Sequence, residues 1–118
     1  MKGWMAALTL VGMAIGGDAM AVDGNDLLKW CQDVNSDNPA TKYGFSSGYC
    51  IGTMSTVNTL VNYINSGLSV EMCPPPEITN GQMARIVVKY LQQNPEVLHL
   101  EATSLTVSAL RTAYPCKK

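Results

Sequence analysis

Apolar residues recur at helical spacing in four separate stretches of the chain, and none of these stretches shows the strict alternation of a half-buried strand. The first stretch begins near Gly24 or Asn25 and runs to about Val34, with Leu27, Cys31 and Val34 at i, i+4 and i+7 on one face. Asp26 lies where a negative charge favours the positive end of a helix dipole. Asn35-Ser36-Asp37-Asn38-Pro39 is dense in turn formers and ends the segment, and a polar loop follows to about Gly44. The second stretch is the longest. Cys50, Met54, Val57, Val61, Ile64 and Leu68 advance by alternating steps of four and three, while Ser55, Asn58, Thr59, Asn62 and Ser66 face the other way. Ser46 or Ser47 is the expected cap of its first turn, and Asn65-Ser66-Gly67 its end. Gly52 inside it costs about 1 kcal/mol relative to alanine, which predicts either a second backbone packed closely there or a tolerated weak spot in the helix.

Cys73-Pro74-Pro75-Pro76 cannot continue a helix, because three successive prolines remove three donors and hold the chain extended, so a stiff connector is predicted. The third helix starts at the sharpest local signal in the chain. Thr79-Asn80-Gly81-Gln82 is a capping box, and Ile78 and Met83 occupy the two positions of a hydrophobic staple. Met83, Ile86, Val87, Tyr90 and Leu91 then form one apolar face, ended by Asn94-Pro95. Pro95 can open a new turn, and Ala102, Leu105, Ala109, Leu110 and Ala113 trace the fourth helix towards Pro115. The predicted fold is all-α, a small four-helix domain.

The amino terminus has a different pattern. Lys2 precedes an almost unbroken apolar run from Trp4 to Ile15, and Ala19-Met20-Ala21 has the A-x-A form of a cleavage site. The run is too short for the roughly 18 to 20 residues that span a bilayer, so residues 1–21 read as a cleaved signal peptide rather than a stable membrane anchor, and residues 22–118 as the mature domain. A domain of this size gains only a modest margin from its core. All four cysteines, Cys31, Cys50, Cys73 and Cys116, lie in the mature part, and an even count in a small exported domain predicts two disulfides. The absence of a CxxC pair or of regularly spaced Cys and His argues against zinc. An up-and-down bundle would pair Cys31 with Cys50 and Cys73 with Cys116, since each pair flanks a helical hairpin.

Charge and chemistry narrow the function. Eight Lys and Arg stand against nine Asp and Glu, a net charge of -1, which gives no basic field for nucleic acid. The single histidine, His99, has no serine in a nucleophile motif and no free thiol to activate, and reads as a local polar contact at a helix entry. The chain is read as a binding protein with no catalytic residue, no metal site and no cofactor. Trp30 is read equally as core or as an interface anchor. Tyr43, Phe45 and Tyr49, on the glycine-bearing loop into the second helix, are the candidate partner-binding residues.

The ordered landmarks are Leu27-Leu28-x-x-Cys31, Cys50-Ile51-Gly52, Cys73-Pro74 with Ile78-Thr79-x-x-Gln82, Tyr90-Leu91-x-x-Asn94-Pro95, His99-Leu100-x-Ala102 and Ala109-Leu110-x-x-Ala113-Tyr114-Pro115-Cys116. Together they resemble the Tai/Rap-type amidase immunity family of type VI secretion systems over essentially the whole mature chain. Thr53 and Thr56 stand where that family's pattern has a tyrosine and a second glycine, and Asn94 where it has a histidine. The resemblance implies a periplasmic inhibitor whose partner is a secreted peptidoglycan amidase toxin, with a homodimer as the other partner allowed. A fainter similarity to HdeA-type acid-stress chaperones implies a different function, and a different pairing, Cys31 with Cys73 and Cys50 with Cys116. The two pairings stand open on the sequence.

Overall fold

The computed structural model describes residues 22–64 and 72–117, so the signal peptide expected over residues 1–21, the helix exit expected at Asn65 to Gly67 and Leu68 lie outside the described residues. Five helices occur among them: α1 (Gly24–Asp33), α2 (Pro39–Lys42), α3 (Phe45–Ile64), α4 (Asn80–Gln93) and α5 (Ala102–Ala113), with a 3-10 turn at Pro95–Val97 before α5. Four are full helices and α2 is a single turn inside the stretch expected to be loop. Among the described residues the sole β-type pairing is an isolated bridge between Asp23 and Glu101, so the all-α class holds.

Helix starts follow the polar residues that replace missing backbone partners. The Asp23 carboxylate accepts from the Asp26 amide at 3.0 Å, one residue before the predicted start of α1. Asn38 accepts from Ala40 at 3.0 Å and Pro39 takes the first helical position of α2. At α4 the capping box is complete: the Gln82 amide donates to the Thr79 hydroxyl at 3.1 Å, and the Thr79 amide donates to the Gln82 side chain at 2.9 Å. Both staple residues, Ile78 and Met83, are buried. Glu101, unremarked in the sequence, caps α5 by accepting from Thr103 at 3.0 Å and Ser104 at 2.8 Å.

The start of α3 differs from expectation. Neither Ser46 nor Ser47 is its cap, because the helix already includes Phe45. Ser47 is buried and its hydroxyl donates to the Thr41 carbonyl at 2.8 Å, which fastens α2 against the first turn of α3. Once α2 has used Pro39 to Lys42, only Tyr43 and Gly44 remain as a junction, and the helix resumes directly.

Apolar stripes from four helices meet in one core. Leu27 and Cys31 come from α1, Met54, Val57 and Val61 from α3, Met83, Val87 and Leu91 from α4, and Leu105, Ala109 and Leu110 from α5. Ala113, assigned to the same stripe, is exposed at the end of α5. Thr106 is buried although polar, and its hydroxyl donates to the Ala102 carbonyl at 2.9 Å, so no hydrogen-bonding group is stranded.

The amino ends of α1 and α5 are stitched side by side. The Gly24 amide donates to the Leu100 carbonyl at 3.0 Å, the Asn25 amide to Leu98 at 3.2 Å, and the Ala102 amide to Val22 at 2.9 Å. This is a close approach between distant segments that needs a glycine. A Cβ on Gly24 would lie 2.5 Å from Leu105 Cδ1 and 3.0 Å from the Leu98 backbone, whereas one on Gly52 would meet nothing within 4 Å. Of the two readings of Gly52, the tight packing is absent, because that residue faces outward.

The disulfides join Cys31 to Cys50, with Cα atoms 5.1 Å apart, and Cys73 to Cys116, with Cα atoms 5.0 Å apart. This is the hairpin pairing. The alternative implied by the chaperone resemblance is overturned, since the short connection through α2 returns α3 alongside α1. Sequence separations of 19 and 43 correspond, in the chain-entropy account, to about 3 and 4 kcal/mol. The Cys73 amide also donates to the Tyr114 carbonyl at 2.8 Å, and a turn closed from Ile78 to Pro75 at 3.1 Å carries the proline segment into α4.

Three expectations test this account. Thr79→Ala lowers stability by about 1 kcal/mol, read as a shift of the urea midpoint. Gly24→Ala lowers it by about 1 to 3 kcal/mol through overpacking, while Gly52→Ala raises it by up to about 1 kcal/mol, and thermal melts of the pair separate the two environments. Glu101 governs an acid limb. Burial pushes its carboxyl up, but hydrogen bonds from Ser104 and Thr103 outweigh this and leave it below its ordinary value. A carboxylate depressed on folding stabilises the protein above its unfolded pKa, and that contribution is lost as pH falls through the folded value. Stability therefore drops as pH is lowered below the ordinary value of this carboxyl, and Glu101→Gln flattens part of that drop in urea melts across the acid range.

Candidate protein-binding surface

The residues on either side of the inner disulfide build the most distinctive exposed feature of the molecule. Cys31 and Cys50 point into the core, and the residue preceding each, Trp30 on α1 and Tyr49 on α3, lies on the adjoining flank. Their rings meet edge to face with centroids 4.8 Å apart. Phe45, one helical turn before Tyr49, closes the cluster at 6.0 Å from Trp30 and 6.3 Å from Tyr49. Edge-to-face contacts of this kind add about 0.5 to 1.5 kcal/mol each beyond area burial and hold the rings in fixed orientations. Phe45 is nevertheless 77% exposed, so a large apolar side chain is held in water. Trp30 is half-buried and belongs to this cluster rather than to the core.

Tyr43 is not part of the cluster. It is 79% exposed in the junction before α3, with the Lys42 ammonium 5.8 Å from its ring centroid. Of the three residues singled out in the sequence, the fold brings Phe45 and Tyr49 together with Trp30 and leaves Tyr43 apart. Phe45 and Tyr49 sit on a helix, not on a loop, which makes their spacing rigid.

A groove of about 360 Å³ continues from Tyr49 along α3, lined by Gly48, Gly52, Thr53, Thr56 and Leu60 with Thr103 at its far wall. Residues 43–70 contain no Asp, Glu, Lys, Arg or His. The outer face of α3 is therefore exposed but uncharged: Gly48 and Gly52 leave open space above the backbone, and Leu60 is 44% exposed. Such a surface loses little on desolvation, and depletion of charge is a compositional mark of interface cores. A smaller groove of about 290 Å³ between α4 and α5 carries the Lys89 ammonium and lacks an aromatic cluster of this kind. Gly48, Gly52, Thr56, Leu60 and Thr103 were not foreseen as site residues. The usable signal was the charge-free run combined with two glycines four residues apart.

The groups that would support other chemistry are placed elsewhere. His99 is exposed on the turn before α5 and makes no hydrogen bond among the described residues, so the expected local polar contact is missing. Each cysteine is in a disulfide and none offers a thiolate. Among the described residues no group of three His, Cys, Asp or Glu could hold a metal ion, and no helix is long and apolar enough to cross a membrane.

No curated protein and no solved structure matches this chain. Residues 23–116 match the family described as Rap1a immunity proteins. That match runs from the Asp23 cap of α1 to Cys116 of the outer disulfide, taking in every helix described above, and the chain belongs to the Rap1a immunity protein family.

Proposed function

We propose that the mature protein, residues 22–118 after removal of residues 1–21, is a periplasmic immunity protein that binds and inhibits a type VI secreted peptidoglycan amidase. The family match over residues 23–116 carries this reading, since immunity proteins act on a partner effector. Two disulfides and the amino-terminal export signature support a compartment that is oxidising and outside the cytoplasm.

The partner surface is the Trp30, Phe45 and Tyr49 cluster with the groove running from Gly48 to Leu60, and the exposed Tyr43 in the junction before α3 is a separate candidate contact. Inhibition by occlusion needs no reacting group on the inhibitor. It needs a protruding element that already has its bound shape, so that little conformational freedom is lost on docking. Phe45 meets that need, because α3 and the inner disulfide fix its position while its ring stands in solvent. The open space over Gly48 and Gly52 admits a side chain from the partner beside it, and the uncharged rim imposes no unpaired ion when water leaves.

The test begins with the amidase encoded beside this gene. It co-purifies with the mature protein, and periplasmic coexpression restores growth that the amidase alone prevents. Failure to bind any adjacent amidase sinks the assignment of the partner. Phe45→Ala with Tyr49→Ala weakens binding at least about tenfold in calorimetry, the scale of aromatic hot spots. Gly52→Leu fills the groove and also weakens binding, while its thermal midpoint stays at or above that of the wild type. Unchanged affinity in both variants would place the contact elsewhere on the molecule.

A further inference from the structure

The two disulfides differ in access to solvent. Cys31 and Cys50 are 0% exposed within the core, whereas Cys73 is exposed and Cys116 is half-buried. Thiol–disulfide exchange requires a thiolate to reach a sulfur atom, so access decides which bridge reacts. The inner bridge reacts only when the core opens, while the outer one joins an exposed residue to a half-buried one at the surface of the folded protein.

We propose that Cys73–Cys116 is a thiol-exchange site of the folded protein, with a dithiol of the CxxC class found in oxidoreductases as its co-substrate. A thiolate of the dithiol attacks Cys73 Sγ. The Cys73–Cys116 bond breaks, a mixed disulfide forms on Cys73, and Cys116 leaves as a thiolate and takes up a proton. The second thiol then loses its proton and attacks the dithiol's own sulfur, which releases Cys73 as a thiolate that is protonated in turn. The protein gains two electrons and two protons, and the dithiol becomes a disulfide.

The outer bridge is also mechanically separable. It ties the start of the proline connector to the tail after α5, and the Cys73 amide to Tyr114 carbonyl hydrogen bond spans the same two segments without it. All of α4 and α5 lies inside the closed loop, and both helices pack on each other and on α1 and α3 through the buried core. Nothing in the aromatic cluster touches this bridge, since Trp30 and Tyr49 adjoin the inner one. The bridge closing the longer loop is thus the one that opens first: loop length sets what a disulfide adds to stability, and exposure sets how fast it exchanges.

The experiment uses the intact mature chain under native conditions. The protein is treated with dithiothreitol, quenched at intervals with N-ethylmaleimide and weighed by mass spectrometry. A species carrying two labels accumulates, peptide mapping places them on Cys73 and Cys116, and the inner pair is labelled at least about tenfold more slowly until urea is added. Passage directly to four labels, or first labels on Cys31 and Cys50, overturns the proposal. A CxxC protein whose second cysteine is replaced by serine provides an independent arm, because it is trapped on Cys73; trapping on Cys116 instead reverses the assigned direction of attack.

Discussion

The fold and its exposed surface both depend on the buried bond between Cys31 and Cys50. It joins α1 to α3 near the point where the chain turns through α2, and it is sealed inside the core with Leu27 and Met54. Because successive helical residues point about 100° apart, fixing two cysteines inward also fixes the directions of their chain neighbours. Trp30 and Tyr49 are those neighbours, and their 4.8 Å contact is a geometric consequence of the bond beneath it. Phe45 joins them through the helical repeat of α3. A single covalent link thereby holds three rings from two helices in one place.

The same helix has two faces with opposed duties. Inward, Cys50, Met54, Val57 and Val61 contribute to the core. Outward, it carries Gly48, Gly52, Thr56 and Leu60 and no charge. Exposed helix faces in a small exported domain are ordinarily rich in Lys and Glu, which improve solubility and support neighbouring turns. Here helix propensity at two glycines and surface charge along four turns are both given up, and among the described residues the space above both glycines is open.

Division of labour between the disulfides follows from where each lies. The inner bond is part of the core and of the surface built above it. The outer bond closes the longer loop and fastens the end of the chain to the proline connector. Hydrogen bonds across the Asp23 and Glu101 caps hold the other end of the molecule, where α1 and α5 start side by side. The helices are therefore secured at their amino ends by backbone pairing and at the connector by a covalent link.

Local rules read from the sequence located α4 through its capping box, α5 through its apolar stripe, the proline connector, and the core positions from Leu27 to Leu110, because spacing and capping depend on residues within a turn or two of each other. The family resemblance also came from the sequence, through the order of landmarks across the mature chain. What the sequence left open was every relation between distant segments. It offered two disulfide pairings, and only the packing of α1 on α3 chose between them. It left Gly52 as either a tight contact or a tolerated weak spot and did not single out Gly24, where the long-range crowding lies, since the Leu105 and Leu98 atoms that crowd it come from the far end of the chain. It grouped Tyr43, Phe45 and Tyr49 by their nearness in sequence, while the fold brings Phe45 and Tyr49 against Trp30, which the sequence had left equally as core or interface anchor. Helical periodicity states which way a side chain points from its own axis; which other side chain it then meets is set by the long-range arrangement of axes, and that is a property of the tertiary structure alone.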